Sequence, residues 1–222
     1  MPPVKRDYRS QYRRGQAKLL AEGTRRVIVN SARKLFASRG YGATTIEAIA
    51  REGGIAVQTV YANFGTKRAI LLELLQVAQA QGELLPIIGQ FAAEKDPAKM
   101  LRLGAAFNRR FYEQAGDVLQ ILVGAAASDP VIAKLERVAE EDVRGRCARV
   151  ARAWARSGAL RKGMTQKEAT DLLVAFTSPE IFRLLVTSSG WSPDDYEAWF
   201  VVTLESLILG TPYRPVLARS RS

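Results

Sequence analysis

Val57, Gln58, Thr59 and Ala62 lie on one side of a short helical stretch and offer an amide, a hydroxyl and small apolar groups, but no charge. Solvated helix faces ordinarily carry Lys and Glu. A face of short uncharged groups suits the edges of bases in a DNA major groove, where amides pair with adenine, hydroxyls serve either partner and methyl groups meet thymine. Thr44, Thr45, Tyr61, Asn63 and Lys67 flank that face with hydroxyl, amide and ammonium donors of the kind that hold phosphates and fix register. The alternative for Tyr61 is a packing position, and for Lys67 a solvated one.

Two short helices have to present these groups. Thr44-Thr45-Ile46-Glu47 reads as a capping box, with Thr44 accepting from the N–H three residues on and Glu47 reaching back to the cap. Ile46, Ile49 and Ala50 then follow helical spacing and give one buried face over roughly two turns, too short to stand alone. Gly53-Gly54 ends this helix, and Ile55 supplies an apolar side chain to pin the turn. A second helix follows from Val57 to about Ala62, with Val60 and Phe64 pointing inward. Two short helices joined by a glycine turn have the layout of a DNA-reading helix-turn-helix.

In these residues the chain resembles the N-terminal domain of the tetracycline-repressor (TetR) family of transcriptional regulators. The resemblance covers about a quarter of the chain. It rests on Ile28, Ala32, Leu35 and Phe36 in the preceding helix, then Gly40-Tyr41, Thr44-Thr45 and Ile49-Ala50. It continues through Gly54-Ile55, Thr59-Val60-Tyr61, Phe64, Lys67 and the run from Ala69 to Leu72. The joint spacing carries it, and it places Val57, Gln58, Thr59 and Ala62 on the groove-facing side. Ala56 stands where such proteins usually have a capping serine, which removes about 1 kcal/mol of local stability. Val57 stands where a basic or polar residue is frequent.

Charge placement agrees with a polyanionic partner. The net charge is +11, and residues 1–75 hold 14 Lys or Arg against 5 Asp or Glu, while the remaining 147 hold 19 against 17. The excess therefore sits beside the helix-turn-helix. Lys5, Arg6, Arg9, Arg13, Arg14, Lys18, Arg25 and Arg26, with Tyr8 and Tyr12 interleaved, read as a flexible basic arm along phosphates or into a minor groove. A solubilising tail has the same composition. With no histidine and a single cysteine, Cys147, the chain has no His-based triad, zinc cluster or intramolecular disulfide, and no cofactor is expected. Glu140-Glu141-Asp142 reads as a solvated helix face rather than a catalytic carboxylate pair, so an enzyme is not expected. Cys147 shares a helical stripe with Val143, Val150, Ala151 and Trp154, which favours packing over redox sensing. No apolar run is long enough to span a bilayer and no signal peptide is evident, so a cytoplasmic location is expected.

Beyond the head the pattern is helical throughout, predicting an all-α fold: a three-helix head followed by a helical bundle, about nine helices in all. The divisions expected are a basic arm at 1–22, a DNA-binding domain at 23–68, an effector-binding and dimerisation domain at 69–210 and an irregular tail at 211–222. The first helix is predicted from about Thr24 to Arg39. Thr66 should cap a helix running to about Ala80, Pro86 should interrupt, and Asp96-Pro97, Asp129-Pro130, Thr165 and Ser192 should each start a new helix. A further break is expected near Gly116. The last two helices are apolar well beyond one packing stripe, which calls for a second burial surface. Leu172, Phe176, Trp199, Phe200, Leu204 and Leu207 are the candidate residues for a two-fold four-helix interface, the mode by which TetR-like regulators form homodimers.

The resemblance further implies a double-stranded DNA operator and a small-molecule effector held among the middle helices. Phe107, Phe111, Leu122 and Trp154 are the candidate lining residues for an apolar or aromatic effector, although such stripes also build ordinary cores. The expected function is a ligand-responsive repressor binding a palindromic operator as a homodimer. The alternative is a helical ligand-binding or scaffold protein whose basic head meets RNA or acidic membrane nonspecifically, and the uncharged outward face argues against it.

Overall fold

The computed structural model describes residues 5–79 and 84–213, with side chains from Leu19 onward except at Gln79. The basic side chains from Lys5 to Lys18, Ala80 and the tail from residue 214 therefore lie outside the described residues. Ten α-helices and no strand are found among the described residues: α1 Lys5–Arg39, α2 Ile46–Glu52, α3 Val57–Phe64, α4 Lys67–Gln79, α5 Leu85–Ala93, α6 Pro97–Ala126, α7 Pro130–Ser157, α8 Gln166–Phe176, α9 Pro179–Phe182 and α10 Pro193–Leu204. Two π-helical turns, Arg183–Ser188 and Glu205–Leu209, extend α9 and α10.

Local chemistry sets the boundaries. Asp96 accepts from the N–H groups of Ala98 and Lys99, and Asp129 from those of Val131 and Ile132, each with proline in the first turn. Thr165 and Glu168 form a reciprocal capping box, and Ser192 accepts from Asp195 N–H. Two expectations are corrected. Helix α1 begins at Lys5 rather than Thr24, since no proline interrupts a segment rich in helix formers. The break expected at Gly116 is absent. One glycine costs about 1 kcal/mol in a helix, and here Ala115 and Val118 are buried on either side of it. The apolar run around Pro179 forms two helices, because Ser178 caps α9 through Glu180 N–H.

Helix α6, about 45 Å long at 1.5 Å per residue, is the spine of the molecule. Its C-terminal half contributes Ala115, Val118, Ile121, Leu122 and Ala125 to one core with α1–α4 and Ile132 of α7. Its N-terminal half contributes Met100, Leu101, Ala105 and Tyr112 to a second core with the end of α7, with α8 and with α10. Phe111 packs against both. No described helix is long and apolar enough to cross a membrane.

Candidate nucleic-acid interface

The turn between α2 and α3 uses its two glycines differently. Gly54 adopts φ +62°, a conformation that costs side-chain-bearing residues energy, and lets Ile55 N–H reach Ala50 O at 2.9 Å. Gly53 is instead a packing glycine. A Cβ there would stand 3.1 Å from Ser31 Oγ and 3.3 Å from Val27 Cγ1, both on α1. Close approach of α1 therefore fixes the angle at which α3 leaves the head.

Thr45, not Thr44, caps α2: it accepts from Ala48 N–H at 3.2 Å, and because alanine stands at the third helical position the reciprocal half of the expected capping box does not form. The Glu47 carboxyl is held below its usual range by its own backbone N–H and then by the Thr45 hydroxyl. Thr44 is buried, and its hydroxyl donates to Gly40 O at 2.8 Å. It braces the turn and cannot meet a phosphate through its side chain.

On α3, Val60 is fully buried and Ala56 supplies no side-chain cap, as its type dictates. Gln58 and Ala62 are exposed, Tyr61 is 48% exposed, and Thr59 is half-exposed. Val57, expected outward, is half-buried against the head core, since helix entry turns it toward that core. Asn63 is also half-buried, and its amide donates to Thr59 O at 2.8 Å.

Two cations expected at phosphates are committed within the protein. Arg25 donates to Asn63 O and Glu73, each at 2.9 Å, and its guanidinium lies 4.2 Å from the centre of the Phe64 ring. It ties the end of α3 to α1 and α4. Lys67 donates to Tyr41 O at 2.7 Å and Thr44 O at 2.8 Å, with its ammonium 4.3 Å from the Tyr41 ring centre. Burial draws the Lys67 pKa below its ordinary value, with Asp129 opposing. Arg26 and Thr45 remain exposed. Sequence reasoning missed these ties because the partners lie 23 and more residues away and no local spacing announces them.

The four candidate effector residues do not form one cluster. Phe107 and Phe111 stack with ring centres 5.8 Å apart. Leu122 belongs to the core shared with the head, whereas Trp154 belongs to the other. The offset of 11 positions from Phe111 to Leu122 separates them by about 16 Å along the helix. Asn108 Nδ2, Trp154 Nε1 and Tyr196 Oη, all on buried residues, have no hydrogen-bond partner within the protein. Cys147 is half-buried, and burial raises its thiol pKa.

The interface candidates also divide. Phe200 and Leu204 are buried inside the protomer and cannot meet a second copy, because the inner face of α10 already packs in the second core. Leu172, Phe176, Trp199 and Leu207 border that core half-exposed, with Phe176 stacked on Trp199 at 5.4 Å.

Residues 28–74 match the bacterial regulatory proteins of the tetR family. The chain is 26% identical over 172 residues to YdeS of Bacillus subtilis (strain 168), described as an uncharacterized HTH-type transcriptional regulator, covering 75% of this chain and 80% of that one. Similar folds include NalD, the secondary repressor of the MexAB-OprM multidrug efflux pump in Pseudomonas aeruginosa, at TM-score 0.64 and 21% identity, covering 85% of this chain and 96% of that one. A putative transcriptional regulator from Saccharomonospora viridis in complex with choline aligns at TM-score 0.63 and 22% identity, covering 85% and 98%. The SmeT–triclosan complex aligns at TM-score 0.63 and 18% identity, covering 87% and 99%.

Proposed function

We propose that this chain, a member of the tetR family of bacterial regulatory proteins, represses transcription by binding a palindromic operator as a homodimer and releasing it when a small effector binds. The observation that carries this reading is the outer face of α3, where Gln58, Thr59, Tyr61 and Ala62 stand clear of the core without a charged group. Gln58 and Thr59 read base edges, Tyr61 and Thr45 contact phosphate, and Arg26 adds sequence-independent attraction. Two such faces have to be spaced about 34 to 36 Å apart to enter successive major grooves. Leu172, Phe176, Trp199 and Leu207, together with Leu184 at 54% exposure, supply the apolar surface for the dimer. Residues 23–68 read DNA and residues 69–210 receive the signal.

The body suits a small ligand. The stacked Phe107 and Phe111, and the unpartnered polar atoms of Asn108, Trp154 and Tyr196, offer an apolar surround with hydrogen-bonding handles. An effector that prefers the DNA-incompetent spacing lowers operator affinity by its differential affinity for the two states.

Retention of fragments from the protein's own promoter region, measured at graded salt, tests this. The wild type should retain one fragment selectively. Gln58→Ala with Thr59→Ala should erase that preference by about 1 to 3 kcal/mol per lost base contact while leaving the salt slope intact. Binding that is indifferent to both substitutions would support the nonspecific RNA or membrane reading instead.

A further inference from the structure

A groove of about 610 Å³ runs between head and body, a size that suits a small molecule. One wall is the end of α1 with the turn from Gly40 to Ala43, the other is α6, and the segment from Pro179 to Thr187 closes a side. Phe36, Tyr41, Tyr112 and Phe182 line it with the small part of each ring that stays accessible, 2% of Phe36 and 7% of each of the others. Gly116 and Gly124, about two helical turns apart, keep the α6 wall open, since a Cβ at either would meet nothing within 4 Å.

Charge selects the occupant. The carboxylate lining the groove, Asp117, is already engaged by Arg33 through two hydrogen bonds of 2.6 Å. Arg39 and Arg183 also line it; Arg183 donates to the neutral Ser188 hydroxyl at 3.3 Å. Aromatic walls with two guanidinium groups beside a neutralised carboxylate fit a ring system carrying one negative charge.

We propose that this groove binds an aromatic monoanion and that its occupancy changes DNA affinity, the second part resting on the regulator reading above. The ligand packs its ring against the aromatic side chains and directs its anionic group toward Arg39 and Arg183. The coupling has a short route. The groove wall from Gly40 to Ala43 leads directly into Thr44 and the α2 cap at Thr45, and Lys67 fastens that turn to α4. A molecule seated between this turn and α6 touches the head and the body at once, so it distinguishes head orientations by its contacts.

The test uses the full chain with 1-anilinonaphthalene-8-sulfonate as anionic fluorescent probe and neutral N-phenyl-1-naphthylamine as its partner. Saturable binding of the anion at one site per protomer is expected. Gly124→Leu should weaken both probes at least about tenfold by filling the groove, with helix content and Tm retained because leucine is the better helix former. Arg39→Gln with Arg183→Gln should weaken the anion about tenfold and the neutral probe less than about twofold. Wild-type binding in Gly124→Leu, or equal loss of both probes in the double glutamine variant, overturns the site. Operator retention altered by the anion in wild type but not in Gly124→Leu supports the coupling; retention indifferent to a bound anion overturns it. Failure of unliganded wild type to retain any promoter fragment counts against the regulator reading, and leaves the binding result to stand by itself.

Discussion

Lys67 illustrates how a cation beside the proposed DNA-reading helix serves the protein's own structure. Its three ammonium protons face Tyr41 O and Thr44 O at hydrogen-bonding distance, with Gly42 O at 3.5 Å. Those carbonyls belong to the irregular turn ahead of α2, where no helical ladder can pair them. Lys67→Met keeps the aliphatic stem and removes the charge, leaving the carbonyls to solvent or to nothing. The expected loss is about 1 to 3 kcal/mol in urea unfolding, the usual cost of stripping a charged donor from part-buried acceptors. If Lys67 acted only on phosphate, stability would stay put and the salt slope of DNA binding would fall by about one. The two outcomes separate a bracing residue from a contact residue. Arg25 calls for the same distinction, since its guanidinium already spans Asn63, Glu73 and the Phe64 ring.

At the scale of elements, most helix boundaries that one or two neighbouring side chains decide were legible, the cap of α2 at Thr45 rather than Thr44 being the exception. Asp96, Asp129, Thr165 and Ser192 each cap the helix that the sequence assigns to them. The outward face of α3 was legible in part: Gln58 and Ala62 are exposed as the helical period requires, while Val57 is drawn into the core by the angle at which α3 docks. That angle depends on Gly53 against Ser31, a contact between distant segments that a local pattern does not encode. Gly116 was misread for the same reason, because tertiary packing of Ala115 and Val118 overrides a local helix breaker. Asp129 combines both kinds of information. It caps α7, accepts from Arg68 Nε at 2.9 Å and lies 3.5 Å from the Tyr41 hydroxyl, so a local cap is also a tie to the head. Hydrogen bonding to Arg68, then to the backbone N–H groups of Ile132 and Val131, holds its carboxyl below the usual range. A depressed folded pKa stabilises fully above the ordinary aspartate value of about 3.9 and is lost as pH falls through the folded value. Asparagine keeps the cap and discards the charge. Asp129→Asn should therefore be less stable than wild type near neutrality, and the gap should close as pH drops below about 3.9 in paired urea titrations. A gap independent of pH would mean that the Arg68 pairing contributes nothing.

For the whole molecule, the proposed division into a DNA head and a ligand body is a division of labour more than of packing. The head core is completed by five residues of α6 and by Ile132, the latter fully buried although it belongs to α7. Without them Ile28, Phe36 and Leu71, now buried, would lose the surface they pack on. Ion pairs between Arg33 and Asp117 and between Arg68 and the largely buried Asp129 cross the same boundary, and a half-exposed pair such as the first contributes about 0.2 to 1 kcal/mol. The apolar seam does most of the joining. A seam of this kind makes the head orientation answer to α6, which any effector mechanism requires, and it also makes folding collective. Ile132→Ala, a cavity substitution outside the DNA-binding segment, should cost about 2 to 5 kcal/mol. The cost should appear at once in tryptophan fluorescence, which reports Trp154, Trp191 and Trp199 in the body, and in hydrogen exchange of α1 amides such as those of Leu35 and Phe36 in the head. Coincident transitions in wild type, shifted together in the variant, are the expected result. A head that loses protection while body fluorescence holds its midpoint would mean that the two units fold separately, and the coupling between effector and operator would then need a route other than the shared core.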